Sequence, residues 1–267
     1  MTEKRNRPMP DLIEKLVGGR PYRTSGVGLS RAEVRDYGES VLKIEPRGFE
    51  TDNAAATMRW LEGKFPAPRV LAYEEREGMS FLLTTRAGGA MACDARWMSR
   101  PAQLVELLAR ALHELWALDI AGCPAASGLD AKLRAAREAV LRGEVDVGHT
   151  EQTTFGSGGF RDPEDLLRWL EMNRPQEEPV FTHGDFCLPN VFVADGGIEG
   201  LIDWGRAGVC DRWQDIALCW RSLKHNAEGA YGGPVYPDVN PDSLFSALGI
   251  AKDAQKLRYY LLLDELF

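Results

Sequence analysis

The sequence predicts an α+β protein of two lobes: a small antiparallel β-sheet carrying one helix, then a larger and mainly helical part. Three observations predict it. Short apolar β runs at VLKI (41–44) and SFLLTT (80–85) enclose a single helical pattern in the first third of the chain. From about residue 99 onward, apolar residues recur at helical spacing. The period then returns briefly to that of a strand around residues 191–203, directly after a segment rich in polar chemistry. At 267 residues the chain is long for one core and suits two lobes with a cleft between them.

The elements follow in order. TSGVGLS (24–30) is a Gly-Ser loop between strands. TDNAAATMRWLEG (51–63) reads as a helix, with Ala54, Met58 and Leu61 on one stripe and Gly63 as its stop. RAGGAM (86–91) is the natural hinge, which divides the chain into residues 1–87 and 88–267. Ser99 is the expected cap of a helix running to about Leu118, with Leu104, Leu107, Leu108, Ala111 and Leu115 inward. AKLRAAREAVL (131–141) is another helix, and Asp162-Pro163 opens a third. VFV (191–193), the Asp195-Gly196-Gly197 turn and EGLID (199–203) form a β-hairpin.

Composition excludes several classes. No apolar run approaches the roughly 18 residues that cross a bilayer, and the charged N-terminus lacks the apolar stretch of a secretory signal. A cytoplasmic protein without a membrane role is therefore expected. The five cysteines are scattered, with no CxxC pair, and are expected as reduced thiols. The net charge of −8 argues against nucleic acid. Residues 1–87 carry 15 basic and 13 acidic side chains, a net of +2, and residues 88–267 a net of −10. One half suits a polyanion such as a nucleotide, the other a polycation.

Chemistry concentrates in FTHGDFCLPNVFVADGGIEGLIDWGR, residues 181–206. Asp185 is followed five residues later by Asn190 and thirteen after that by Asp203. Transfer of a phosphoryl group from a nucleoside triphosphate calls for Mg²⁺ on the phosphates and a carboxylate to orient the incoming hydroxyl and take its proton. An Asn carbonyl and an Asp carboxylate are hard oxygen donors suited to Mg²⁺. The five-residue spacing is that of a kinase catalytic loop, and Asp203-Trp204-Gly205 has the form of its D-aromatic-G metal motif. Each aspartate taken singly reads as a cap or turn residue; jointly, bracketing a hairpin, they read as a site. His183, with no second His or Cys nearby, is expected to hold the loop by a hydrogen bond. Upstream, Gly26, Gly28 and Ser30 form a loop able to cradle phosphate, and Lys43 lies on the following apolar strand, where a phosphate is its natural partner.

Together these residues resemble the aminoglycoside 3′-phosphotransferase family, with its protein-kinase-like fold. The match runs through GVGLSRAEV, WLEGKFPAPRV, HGDFCLPN, IDWGRAGVCDRWQDIAL and LLLDELF, essentially the whole chain. HGDxxxxN marks small-molecule kinases widely; the IDxGRxGxxDxxxDIA and LLDELF segments are more specific to the aminoglycoside enzymes. The resemblance implies transfer of the γ-phosphate of ATP, or GTP, to an aminoglycoside hydroxyl, with Mg²⁺ and no obligate protein partner. It implies Asp185 as base, Asn190 and Asp203 as magnesium ligands, Lys43 on the α- and β-phosphates, and Ser30 in the phosphate-covering loop. Thr85 and Ala87 match backbone contacts to adenine, and Arg206 matches an arginine near the transferred phosphate. Asp264, Glu265 and the carboxylate of Phe267 match acids that bind drug ammonium groups. Asp215 is expected to support the catalytic loop. The flexible, polycationic acceptor calls for many carboxylates, and Glu144, Asp146 and Glu151 in GEVDVGHTEQ (143–152) are candidates for a substrate loop.

Two positions depart from the family pattern. The glutamate six residues before the tryptophan of WLEGK, which pairs with the strand lysine, is Ala54 here. Lys43 is expected either to pair with Glu50 or to go without a carboxylate. Val41 replaces an aromatic residue that stacks on the purine, which implies loose nucleotide choice. The alternatives are a kinase of another small hydroxyl compound (choline, homoserine or a macrolide) and a nucleotide-binding pseudokinase. LLDELF speaks against the first, and the intact Asp185, Asn190 and Asp203 against the second.

Overall fold

The computed structural model describes residues 9–25 and 32–267. Strands β1 (Arg23–Ser25), β2 (Glu33–Asp36), β3 (Ser40–Pro46), β4 (Val70–Arg76) and β5 (Met79–Thr85) form one sheet in the order β1-β2-β3-β5-β4. All of its pairings are antiparallel. Side chains alternate across a strand, and β3 uses the alternation fully. Ser40, Leu42 and Ile44 are buried, while Val41, Lys43 and Glu45 share the opposite, partly exposed face. Leu42 and Ile44 pack with Phe81 and Leu83 of β5 against Ile13 and Val17.

Those last two residues belong to α1 (Asp11–Val17), a helix the sequence reading did not include. Only Ile13 and Val17 of its seven residues are buried, too short a stripe for periodicity to reveal. The expected helix is α2 (Phe49–Leu61), which starts two residues earlier than the pattern suggested, behind Gly48. Ala54, Ala55, Met58 and Leu61 of α2 join the large hydrophobic core of the C-terminal part, not the core beneath the sheet. The sheet is thus covered by α1 on one face, and α2 ties it to the rest of the molecule.

The C-terminal part contains β6 (Ala90–Met91), α3 (Ala95–Met98), α4 (Pro101–Trp116), α5 (Leu129–Arg142), α6 (Pro163–Met172), β7 (Pro179–Thr182), β8 (Val191–Ala194), β9 (Gly197–Leu201), β10 (Gly208–Asp211), α7 (Trp213–Glu228), α8 (Ser243–Ala247) and α9 (Ala254–Asp264). Asp162 caps α6 by accepting from the Asp165 N–H at 2.8 Å, as its sequence predicts. Ser99 does not cap α4. It closes α3, and Arg100 occupies the N-cap ahead of Pro101. Pro101 explains the shift: with no N–H to donate, proline is favoured in the first turn. The hairpin is β8–β9, shifted two residues toward the N-terminus from the expected second strand, and β6 adds a third strand along its edge.

This hairpin positions the chemistry. β7 pairs with β10, and β8 pairs with β9. The 183–190 connection runs from β7 to β8, and the 202–207 connection runs from β9 to β10. Both therefore span the same two ladders and lie side by side. Because β9 ends at Leu201, Asp203 is released from the ladder. No helix among the described residues is long and apolar enough to cross a membrane.

The two parts are joined at Asn53, which is 5% exposed. Its side-chain amide donates to the carbonyl oxygens of Gly205 at 2.9 Å and Ala207 at 2.8 Å. A buried carbonyl left without a donor costs roughly 1–3 kcal/mol. Asn53→Ala is expected to lower Tm by several degrees and to reduce activity more than a core truncation of equal thermal cost, measured by calorimetry alongside turnover.

Candidate active site

Asp215, at the start of α7, is completely buried and organises the first connection. Its two carboxylate oxygens accept from the N–H groups of His183 and Gly184, each at 2.9 Å. Burial holds its carboxyl above the usual range, with His183 and the two backbone N–H groups opposing. His183 links the two connections. Its Nε2–H donates to the Ile202 carbonyl at 2.9 Å, which leaves Nδ1 to accept from the Asp185 N–H at 3.3 Å. The ring lies 4.5 Å from that of Trp204. These contacts give both residues the supporting positions expected of them. Gly184 has φ +82°, and a Cβ there would sit 2.1 Å from the Arg206 carbonyl oxygen. Only glycine lets the two backbones approach so closely.

The connections bring Asp185, Asn190, Asp203 and Arg206 together. Asn190 Nδ2 donates to Asp185 Oδ2 at 2.9 Å and to the Asp185 carbonyl at 3.1 Å. With its nitrogen committed to Asp185, Asn190 keeps its side-chain oxygen as an acceptor. Asp203 has φ 68°, a left-handed conformation uncommon outside glycine. Across the cleft, Lys43 Nζ lies 3.0 Å from Asp203 Oδ1 and 3.1 Å from Glu45 Oε1. Burial opposes the charge on Lys43, but Asp203 and Glu45 outweigh it and raise its ammonium above the ordinary value. Burial and the nearby Asp264 push the Asp185 carboxyl upward, against Arg206. A raised carboxyl is the better proton acceptor.

No group of three or more His, Cys, Asp or Glu side chains among the described residues could hold a metal. Mg²⁺ takes one or two protein oxygens, keeps waters and fills its shell from phosphate. The Asn190 carbonyl and the Asp203 carboxylate are hard oxygen donors that fit that demand.

Arg206 gathers the acidic groups. Its Nε donates to Glu50 Oε1 at 3.1 Å and its Nη1 to Asp264 Oδ1 at 3.3 Å. Glu50 is therefore not the partner of Lys43, and Lys43 is not unpaired; Glu45 takes that place. Ala54 is buried in the core face of α2. Arg221 on α7 binds the other oxygen of Asp264 and approaches Glu265 Oε1 at 3.5 Å. Burial disfavours the Asp264 charge, yet Arg221 and Arg206 hold its carboxyl below the usual range. Phe267 is 45% exposed, its ring centroid 5.6 Å from the Arg206 guanidinium carbon.

Glu265 Oε2 accepts from the Glu151 N–H at 2.9 Å, and the Glu151 carboxylate lies 2.7 Å from His225 Nε2. Of the three acids expected in the 143–152 loop, Glu151 thus reaches α7 and α9. Glu144 accepts from Arg142, and Asp146 accepts from the Gly148 N–H and bonds His149. At the hinge, the Thr85 N–H donates to the Arg69 carbonyl at 2.9 Å, which leaves the reading of a base edge at this residue to its carbonyl oxygen. Ala87 lies outside the strands and makes no hydrogen bond among the described residues. Ser30 lies outside the described residues.

Sequence reasoning missed Glu45, Asn53 and Arg221. Strand alternation could have found Glu45, two residues beyond Lys43 on the same face. No local rule marks the other two.

A family model described as the phosphotransferase enzyme family matches residues 25–235. An aminoglycoside 3′-phosphotransferase of Enterococcus faecalis is 37% identical over 224 residues, covering 82% of this chain and 80% of that protein. Among solved structures, an aminoglycoside-3′-phosphotransferase of type VIII superposes with a TM-score of 0.77 at 29% identity, over 96% of this chain and 98% of its own. The aminoglycoside phosphotransferase APH(3″)-Id from Streptomyces rimosus, in complex with ADP and streptomycin, gives 0.73 at 25% identity over 96% of each chain.

Glu265 supplies a pH test. Burial pushes its carboxyl up to about 7, against the Glu151 N–H and Arg221. The unfolded chain releases that proton near 4.5. Between these values the folded state binds more protons than the unfolded one, so ionised Glu265 costs stability that grows as pH rises to about 7. Glu265→Gln is expected to match the parent Tm near pH 4 and to exceed it at pH 8. Thermal melts of both proteins across that range check it; a gap that is constant or shrinks with rising pH overturns the reading.

Proposed function

The chain belongs to the phosphotransferase enzyme family, and from that premise we propose that it transfers the γ-phosphate of ATP, or GTP, to the 3′-hydroxyl of an aminoglycoside. One observation carries the reading. Asp185, Asn190, Asp203, Lys43 and Arg206, drawn from the sheet and from two separate connections, converge on one cleft. This occurs in a chain similar along most of its length to aminoglycoside phosphotransferases.

In this reading the nucleotide lies against residues 1–87 and the acceptor against residues 88–267. Val41 packs on the base, and the Thr85 and Ala87 backbones read its edge. Asp185 orients the acceptor hydroxyl and takes its proton as the new P–O bond forms. Asn190 secures Asp185 through two hydrogen bonds. Lys43 holds the α- and β-phosphates, while Arg206 faces the transferred group. Asn190 and Asp203 would hold Mg²⁺, which supplies neutralisation of phosphate charge. On the acceptor side, Asp264, Glu265 and the region of Phe267 offer anionic and aromatic surface to ammonium groups. ATP use places the enzyme in the cytoplasm.

Purified protein with Mg²⁺ and ATP is expected to release ADP on addition of kanamycin, with a phosphorus–proton correlation spectrum placing the product phosphate on the 3′-oxygen. Folded, nucleotide-binding protein that releases no ADP with kanamycin, neomycin or related compounds would sink the reading. Turnover on choline or homoserine alone would replace the acceptor class. Asp185→Ala should lower kcat by roughly 10²-fold or more with nucleotide affinity near that of the parent. Asp203→Ala should weaken Mg²⁺-nucleotide binding and turnover together.

A further inference from the structure

We propose that Glu45 is the residue that positions Lys43 for phosphate binding, so that the lysine's carboxylate partner comes from its own strand and not from helix α2. The inference rests on the phosphotransfer reading and extends it. A kinase-type site needs its strand lysine anchored by a carboxylate, which in protein kinases comes from a helix and is made or broken by moving that helix.

In this chain α2 gives Lys43 no carboxylate; Asp52, in its first turn, is paired with Arg47 at 3.1 Å. Ala54 is 8% exposed within the core. Glu50 is committed to Arg206 at 3.1 Å. Glu45 reaches Lys43 Nζ at 3.1 Å. Lys43 and Glu45 stand at i and i+2 of β3, on the same face of the strand. Their attachment points are therefore separated by two strand rises, about 6.6 Å, which two long side chains close easily. The backbone under both is fixed: Lys43 pairs with Val34 and Leu82, and Glu45 pairs with Ser80, whose hydroxyl donates to the Glu45 carbonyl at 3.2 Å.

The pairing solves a problem set by Asp203. Lys43 lies 3.0 Å from Asp203 as well. A lysine with Asp203 as sole partner would compete with the cation for the same carboxylate. Glu45 supplies an alternative that stays in place when Asp203 turns to a metal, and it holds the ammonium at the cleft face of the sheet. Because both residues ride on one strand, no motion of α2 can separate them. The lysine anchor is assembled whenever the sheet is folded, and α2 is free to give Glu50 to Arg206.

The test is a double-mutant cycle of the parent, Glu45→Gln, Lys43→Met and the double variant. It is read by kcat with kanamycin, by calorimetric Kd for Mg²⁺-ADP, and by Tm. Coupled neighbours differ from additivity by about 2- to 100-fold. With Lys43 present, Glu45→Gln is expected to lower kcat about tenfold, to weaken Mg²⁺-ADP binding about threefold or more, and to leave the acceptor KM and Tm near those of the parent. In the Lys43→Met background, the same change should alter kcat by less than about twofold and leave Mg²⁺-ADP binding equal or tighter. Equal losses in both backgrounds, or no loss in the parent, overturn the proposal. The calorimetric arm decides it without any acceptor, so a failure to phosphorylate kanamycin sinks the functional reading separately.

Discussion

Arg206 is the interaction on which the arrangement of the cleft depends. It leaves the connection that carries Asp203, reaches Glu50 on the first helix to join the core, and reaches Asp264 on the last. Burial disfavours its charge, but Asp264, Glu50 and Asp185 together keep the guanidinium more firmly protonated than usual. Without a cation at this point, three carboxylates would face one another in a partly buried space, and like charges so placed resist joint ionisation. The planar guanidinium presents several donors in fixed directions, which lets one side chain bond two carboxylates at once. A lysine offers no such fork. Arg206 thus serves the chain twice, as the counter-ion of the cleft and as a clasp between its two walls.

That clasp needs its supports to be rigid. Asn53 holds the Arg206 connection from the α2 side by two buried hydrogen bonds. Asp215 holds the neighbouring connection through two backbone N–H groups, and His183 links the two connections to each other. Polar groups this deeply buried are costly unless satisfied, so each bond constrains the next. The result is a pair of irregular segments each tied by buried hydrogen bonds to a neighbouring element.

Much of this was legible in the sequence. Asp185, Asn190 and Asp203 are recognisable because their order and spacing are local properties of a short stretch, and the return to strand periodicity beside them marks the hairpin. Asp162 announces α6 for the same reason. What was hidden is what depends on sequence-distant pairing. Glu50 stood at a plausible distance from Lys43, yet its partner is Arg206, 156 positions away. The choice is made by how α2 docks: its apolar stripe belongs to the large core, which turns the first turn of the helix toward the 202–207 connection. Nothing in residues 49–61 alone reveals that. Ser99 shows the opposite error, a residue of the right type one step removed from a proline that settles the boundary.

The acidic C-terminal residues complete the electrostatic argument. LLDELF suggests bare carboxylates awaiting a cation, but Asp264 is already shared between Arg206 and Arg221, and Glu265 between Arg221 and the Glu151 N–H. An ammonium group that approached Asp264 would share it with two guanidinium groups and so gain less than a full ion pair. The Asp264 side chain is only 13% exposed, so the pairs it already makes are less screened by water than surface ones, and a further cation must compete with them. In the proposed reading, recognition of a polycation therefore depends on many contacts spread over a wall and not on one strong one. The same pre-pairing keeps Asp264 ionised beside Asp185 in the absence of any ligand, so that carboxylate is charged and in place without one. Order among the carboxylates is maintained by the protein's own arginines, at the cost of part of the attraction they could otherwise exert.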